Sequence, residues 1–319
     1  MNVLGMAIDI GGTTTNFAVL DQQGHAVSKF KRSSRDIFRG DEHPSLALEK
    51  AIKDHLDSLE LQAHDLQGIV VGVPGKIDPT TEQITSVPNL KALEGVCLGL
   101  DLGSSFQTTV FVENDVNLIA VGEKSFGAGK AYSDFICVFV GTGIGAGLIV
   151  NNKLYRGAFG AAGELGHMPL ILNGLECNCG SRGCLEMYCS GKAFSRQARH
   201  ILGESDTQSA DLHDDTKWDN AALVFKAGRE GNAKAIAAIE EGFKYLAHGL
   251  AIAATVTNPK LFLLGGGILN AWPEGLRIVE KTFREVSSVP FKDETDFALT
   301  QLKDDASFAG AFGLLTGLA

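Results

Sequence analysis

The chain has 319 residues, 45 % hydrophobic and 21 % charged, with 28 basic against 38 acidic side chains. That is an ordinary globular composition, long enough for two domains and for a core that needs no disulfide staple. A formal net charge of −10 lacks the basic footprint of a nucleic-acid-binding surface, so no nucleic-acid partner is expected; anionic ligands stay open, because glycine-rich backbone amides bind phosphate without net positive charge.

The N-terminal "MNVLGMAIDI" lacks the basic start and small-residue cleavage site of a secretory signal. No stretch reaches the roughly 20 apolar residues that span a bilayer. The expectation is a cytoplasmic protein without a membrane partner, whose cysteines stay reduced. Cys97 and Cys137 sit in apolar surroundings and read as small core hydrophobes.

In chain order, "VLGMAIDI", "TNFAVLD" and "HAVSKFKR" predict three strands separated by the turns "GGTT" and "QQG". "HPSLALEKAIKDHLDSL" predicts a helix with Pro44 near its start. "GIVVGVPG" and "TTVFVEND" predict buried strands, "NLIAVGEKSFGAG" a helix, and "FICVFVGTGIGAGLIVNNKLYRG" a second glycine hairpin. The latter half predicts helices at "KAFSRQARHIL", "NAALVFKAGREG" and "NAKAIAAIEEGFKYLAHGLAIAATVTN", then a strand "LFLLGGG". A helix from about Pro273, a strand "FALTQL" and a final helix "SFAGAFGLLTGL" complete the chain, and the polar "DTQSADLHDDTKWDN" predicts a surface loop. Strands followed by helices, given twice, imply an α/β chain of two related halves, with the two glycine hairpins equivalent.

"DIGGTTTNF" and "VGTGIGAG" each place glycines and threonines between apolar strands. Glycine admits a phosphate close to the amides, and threonine adds a hydroxyl donor. Asp9, just before the first turn, could hold magnesium through water, since that ion keeps much of its hydration. An ordinary hairpin is an equal reading of either turn alone. "GAGKA" around Lys130 fails the Walker A pattern, and Ala146 stands where G-x-G-x-x-G needs its last glycine. Gly265, Gly266 and Gly267 end a buried strand and could pass beneath an adenosine. Asn114 and Asp115 close another strand, where α/β proteins bind ligands. An aspartate there can take a proton from an attacking hydroxyl while the asparagine orients the substrate; either could instead cap the following helix.

Glu164 and His167 in "GELGHMPL" stand at i, i+3, one face of a helical turn. Cys177, Cys179 and Cys184 give C-x-C-x₄-C, and with His167 they fill a tetrahedral Cys₃His zinc shell with no position left for water. Such closure indicates a structural zinc rather than a Lewis acid, with Gly180 and Gly183 allowing the tight knuckle. Cys189 is left as a core thiol, and the C-x-x-C of redox proteins is absent.

In order and spacing, "DIGGTTTNFAVLD", "VGVPGKID", "VPNL", "ENDVN", "GTGIGAG", "GELGHM", "CNCGSRGCLE", "LLGGGIL" and "DDASFAGAFG" resemble the ROK family of bacterial sugar kinases across essentially the whole chain. The resemblance implies an α/β, two-domain actin-like ATPase (ribonuclease H-like) fold with the sugar in a cleft between domains. It implies a small N-terminal domain, 1–115, joined by a C-terminal helix, 306–319, and a large domain, 116–305, carrying the zinc site. By the same resemblance, Asp115 is the catalytic base toward the sugar. Asn89, Asn114, Glu164, His167 and Glu186 hydrogen-bond the other hydroxyls. Gly11, Gly12, Thr13 and Thr14, with Gly141, Thr142 and Gly143, cradle the phosphates of ATP, and Gly265–Gly267 face its adenosine. His167 serves twice, zinc on one ring nitrogen and sugar on the other.

The function so implied is an ATP- and magnesium-dependent hexokinase with a structural zinc, acting on glucose at its 6-hydroxyl. An N-acetylmannosamine or N-acetylglucosamine kinase is the alternative enzyme, and a sugar-sensing regulatory protein the alternative outside enzymes. Repressors of the family carry a helix-turn-helix before this core, which here begins at residue 3, so the repressor reading is disfavoured. "FKRSSRDIFRGDEHP" is longer and more basic than the usual family connection, and the family's habit gives the expectation of a homodimer.

Overall fold

The computed structural model describes residues 3–87, 90–202, 219–288, 290 and 292–318. The alternating runs at the start fold as an antiparallel meander of β1 (Val3–Ile10), β2 (Thr14–Asp21) and β3 (Ala26–Ser33). The helices α1 (Ser34–Phe38) and α2 (Pro44–Ser58) follow. Pro44 suits the first helical position because its missing N–H would lack an intrahelical partner there anyway. β4 (Gly68–Val73) is buried at every residue, as a central strand should be. A small ribbon of β5 (Lys76–Ile77) and β6 (Ile84–Ser86) leads to α3 (Leu98–Phe106), β7 (Thr109–Asn114) and α4 (Asp115–Ser125). Then come β8 (Phe135–Val140), β9 (Ile144–Val150) and β10 (Lys153–Tyr155). The helices α5 (Glu186–Cys189), α6 (Gly191–Leu202), α7 (Asp219–Arg229) and α8 (Ala233–Thr257) precede β11 (Leu261–Gly265) and α9 (Gly267–Ala271). The chain ends through α10 (Gly275–Val286), β12 (Asp296–Leu299) and α11 (Ala306–Leu315).

Two five-stranded sheets share one plan. The first runs β3–β2–β1–β4–β7, with β1, β4 and β7 parallel; the second runs β10–β9–β8–β11–β12, with β8, β11 and β12 parallel. Both glycine hairpins therefore join the first and second strands of equivalent sheets, as two related halves require. The chain falls into two compact units. One comprises Met1–Ser133, Gly147–Ala162 and Gln301–Ala319; the other comprises Asp134–Ala146 and Gly163–Thr300.

In the first unit the period of two along each strand divides the core between the sheet's faces. Ile8, Ile10, Phe17 and Val71 pack with Leu48 and Ile52 of α2 and Leu102 of α3. Ala7, Ala18 and Val70 pack with Leu118 of α4 and Phe308 of α11. The sequence reading opens a second domain at residue 116, whereas this division falls after Ser133. Helix packing is the reason. A Cβ on Gly122 would strike the carbonyl of Ala306, and one on Gly310 the carbonyl of Leu118, so paired glycines let α4 and α11 approach backbone to backbone. Glu123, fully buried, reinforces this by accepting from the amides of Gln301 (2.7 Å), Leu302 (2.9 Å) and Ala128 (2.9 Å).

Three local expectations change. α3 has no counterpart in the sequence reading, because "LGLDLGSSF" carries two glycines; packing beside β7 makes it helical. Cys97 is not a core residue but half-buried at the N-cap of α3, its thiol 3.7 Å from the Thr81 carbonyl, whereas Cys137 is fully buried. β12 stops at Leu299, short of "TQL". Of the polar segment 206–220, residues 206–218 lie outside the described residues and the last two begin α7. Among the described residues, no helix is long and apolar enough to cross a membrane.

Candidate active site

In the first unit, the candidate residues gather at the carboxyl ends of the parallel strands, where α/β sheets bind ligands. Register puts Asp9 of β1 opposite Gly72 of β4, and Gly72 opposite Glu113 of β7. Asn114 and Asp115 come directly after. Asn114 is the N-cap of α4: its Oδ1 accepts from the amides of Val116 (2.9 Å) and Asn117 (3.1 Å), and its Nδ2 donates to the Gly75 carbonyl (3.2 Å). Asp115 is the first residue of the helix and half-buried, with Oδ1 accepting from the Val116 amide at 2.9 Å. Capping thus falls to the asparagine.

Burial raises the pKa of Asp9, against hydrogen bonds from Ser307 and Asn16 that lower it. A nearby cation would favour its charged form, so this carboxylate at the end of β1 is one that a magnesium ion could use. The adjoining turn is closed by Gly11 N–H to the Thr14 carbonyl (3.0 Å). Ser34, fully buried, braces it from outside: its hydroxyl donates to the Gly11 carbonyl (2.6 Å) and its amide to the Thr13 carbonyl (2.9 Å). The basic segment after β3 therefore supports the glycine turn, a role that one serine in "KRSSRD" does not signal. Asn89 lies outside the described residues.

In the second unit, Gly141, Thr142 and Gly143 turn between β8 and β9, with Gly141 N–H donating to the Gly143 carbonyl (2.9 Å). The start of α6 holds this turn, as the Gly191 amide donates to Gly141 (2.8 Å) and the Lys192 amide to Thr142 (3.2 Å). Gly265 ends β11 and Gly266, at φ 96°, caps α9 in a conformation that favours glycine.

Glu164 stands at the N-cap position of a single 3₁₀ turn, Leu165–His167, so the i, i+3 pair does share a face. His167 Nε2 lies 3.8 Å from Glu164 Oε2, and its Nδ1 lies 3.6 Å from Cys177 Sγ and 3.9 Å from Glu186 Oε1. Cys179 and Cys184 bring their sulfurs within 3.6 Å. The four donor atoms of His167, Cys177, Cys179 and Cys184 all lie within 4.8 Å of one another. A tetrahedron with metal–sulfur bonds of about 2.3 Å has edges of about 3.8 Å, so the donor set and its spacing fit zinc. Gly180 (φ 87°) and Gly183 (φ 74°) adopt the left-handed backbone that the knuckle needs. Burial pushes the Cys177 and Cys184 thiols up, a cost that a bound cation would offset. Cys189, also pushed up by burial, is a core thiol bonded to the Leu185 carbonyl at 3.5 Å.

Glu186 is buried and joins these parts. Its Oε1 accepts from the Cys177 thiol (3.3 Å), while a Cβ at Gly143 would lie 2.7 Å from its Oε2. The glycine turn and the cysteine cluster thus share one carboxylate. Sequence reasoning assigns Gly143 to phosphate alone; the space it leaves for Glu186 has no sequence signal.

The sequence model described as ROK family matches residues 5–317. A glucokinase of Streptomyces coelicolor is 30 % identical over 319 residues, which cover 98 % of this chain and 97 % of that protein. The xylose repressor of Bacillus subtilis is 33 % identical over 288 residues, covering 89 % of this chain and 65 % of the repressor. Among solved structures, a ROK family glucokinase from Streptomyces griseus in complex with glucose and AMPPNP is 29 % identical with a TM-score of 0.77, over 98 % of each chain.

Proposed function

Because the chain belongs to the ROK family and is an ATP-dependent sugar kinase of the two-domain actin-like fold, we propose that it is a glucokinase. It moves the γ-phosphoryl group of ATP to the 6-hydroxyl of glucose. The observation that carries this reading is the meeting of Glu164, His167 and Glu186 on the cysteine knuckle, in a chain similar along its whole length to glucokinases.

Asp115 accepts the proton of the 6-hydroxyl as that oxygen bonds to the γ-phosphorus. The bond from phosphorus to the β,γ-bridging oxygen breaks, and ADP leaves with the electron pair. Asn114 has both lone pairs of Oδ1 taken by α4 and one Nδ2 hydrogen given to Gly75. Its remaining N–H is the group left to orient a sugar hydroxyl. His167 turns Nδ1 to the cysteines and leaves Nε2, beside Glu164, for the sugar. His167, Cys177, Cys179 and Cys184 would hold a zinc ion, which would fix the His167 ring for sugar binding and supply no chemistry to the sugar itself. The turns Gly11–Thr14 and Gly141–Gly143 offer amides to the phosphates, with Gly265–Gly267 beside the adenosine. Asp9 would hold a magnesium ion through water, and that ion would supply charge neutralisation on those phosphates.

Gly143→Ala tests the shared carboxylate. The added methyl displaces Glu186, so kcat/KM for the sugar is expected to fall on the order of tenfold together with that for ATP. Initial rates with each substrate varied separately check this, and a change confined to ATP contradicts it.

Similarity to the xylose repressor supports a second reading, a regulator that binds sugar without turning it over. A coupled ADP assay with glucose, mannose, N-acetylmannosamine and N-acetylglucosamine, run beside sugar-binding calorimetry, separates the readings. Glucose is expected to give the highest kcat/KM; a preference for either N-acetyl sugar, or binding with no ADP release, overturns the assignment.

A further inference from the structure

The geometry points to the Glu113–Arg156 ion pair as a positioning device for Asp115, which rests on the reading of Asp115 as the base. Glu113 is the last residue before the Asn114–Asp115 turn and only 5 % exposed. Its Oε2 accepts from Arg156 Nε at 2.7 Å and lies 2.6 Å from Arg156 Nη2, a two-pronged pairing. Its Oε1 accepts from the Asn114 amide (3.0 Å) and from Asn117 Nδ2 (2.9 Å). One buried carboxylate therefore holds the backbone entering the turn and a side chain on the first turn of α4. Asn117 Oδ1 is buried with no partner among the described residues, so its amide takes its orientation from Glu113.

Arg156 directly follows β10 and begins the loop that runs to Glu164; the Ala162 amide closes this loop on the Arg156 carbonyl at 3.1 Å. The planar guanidinium brings two N–H groups onto the single oxygen Oε2 of Glu113 from one rigid plane, which an ammonium cannot do. Removing it leaves a buried carboxylate uncompensated, free to turn and to release the amides it orders. Neither side chain need touch sugar or nucleotide. The pair acts on Asp115 through its neighbours, since Glu113 holds the Asn114 amide just before it and the Asn117 side chain just after it.

Arg156→Ala and Glu113→Gln are expected to lower kcat by about 10- to 100-fold, the loss typical of a small misplacement of a reacting group. KM for ATP should stay within about twofold. Arg156→Lys should recover only part of the rate. Because the Arg156 side chain is 44 % exposed, millimolar guanidinium should reach the site and raise kcat of Arg156→Ala severalfold, without reviving Asp115→Asn. Wild-type kcat in Arg156→Ala overturns the proposal. So does a loss that follows a lowered Tm and that guanidinium leaves unchanged. Asp115→Asn assayed in parallel separates the two levels. If it is active, the base assignment falls and the positioning role with it. If it is inactive while Arg156→Ala is unimpaired, only the positioning role falls.

Discussion

Asp115→Asn is expected to lower kcat by about 10³-fold, within the range attributed to a positioned general base. The replacement is nearly isosteric and keeps an oxygen for the Val116 amide, which Asp115 Oδ1 accepts at 2.9 Å. Helix α4 is capped by Asn114 and not by Asp115, so its start should stay folded and Tm should move little. What is lost is the proton acceptor. KM for sugar should rise modestly, by about threefold or less, because the amide still offers hydrogen bonds. Steady-state rates alongside thermal melts decide the matter: a folded Asp115→Asn protein with near-normal kcat would remove the assigned base.

Stripping the cysteine cluster should instead damage sugar binding. Cys179 is the exposed member of the four, so a strong chelator should reach it, and Cys179→Ser should release zinc outright. The wild-type protein is expected to hold one zinc per chain. Its loss frees the His167 ring and Cys177, whose sulfur lies 3.3 Å from Glu186 Oε1. Outer-shell partners of this kind carry on the order of 10- to 100-fold, and that is the rise expected in KM for the sugar, with KM for ATP changed far less. Cys189→Ala is the control: its thiol is buried against the Leu185 carbonyl, and zinc content should be unchanged. Elemental analysis with sugar titration checks both variants, and retained zinc with unaltered sugar affinity in Cys179→Ser contradicts the assignment.

Most of what positions the site was legible because it is local. Apolar runs bounded by glycine turns announce β1, β2, β8 and β9, and C-x-C-x₄-C with a histidine upstream announces the cluster. "ENDVN" signals a strand end with a cap, leaving open which residue caps; the backbone settles that in favour of Asn114. Tertiary effects were not legible. α3 is helical against its own propensity because it packs by β7. α4 joins the first unit because Gly122 and Gly310, far apart in sequence, are matched in space. Ser34 under the first turn, Gly143 against Glu186, and Arg156 on Glu113 are single residues with no spacing to mark them. Each is a partner choice made across sheet or loop, which sequence order alone does not encode.

The most direct measurement is phosphorus NMR of a reaction containing the intact protein, glucose and magnesium ATP. A single sugar-phosphate resonance, that of glucose 6-phosphate, should grow in step with ADP, with little free phosphate. Bound glucose with no sugar phosphate, or ADP matched by free phosphate instead, would contradict a glucokinase.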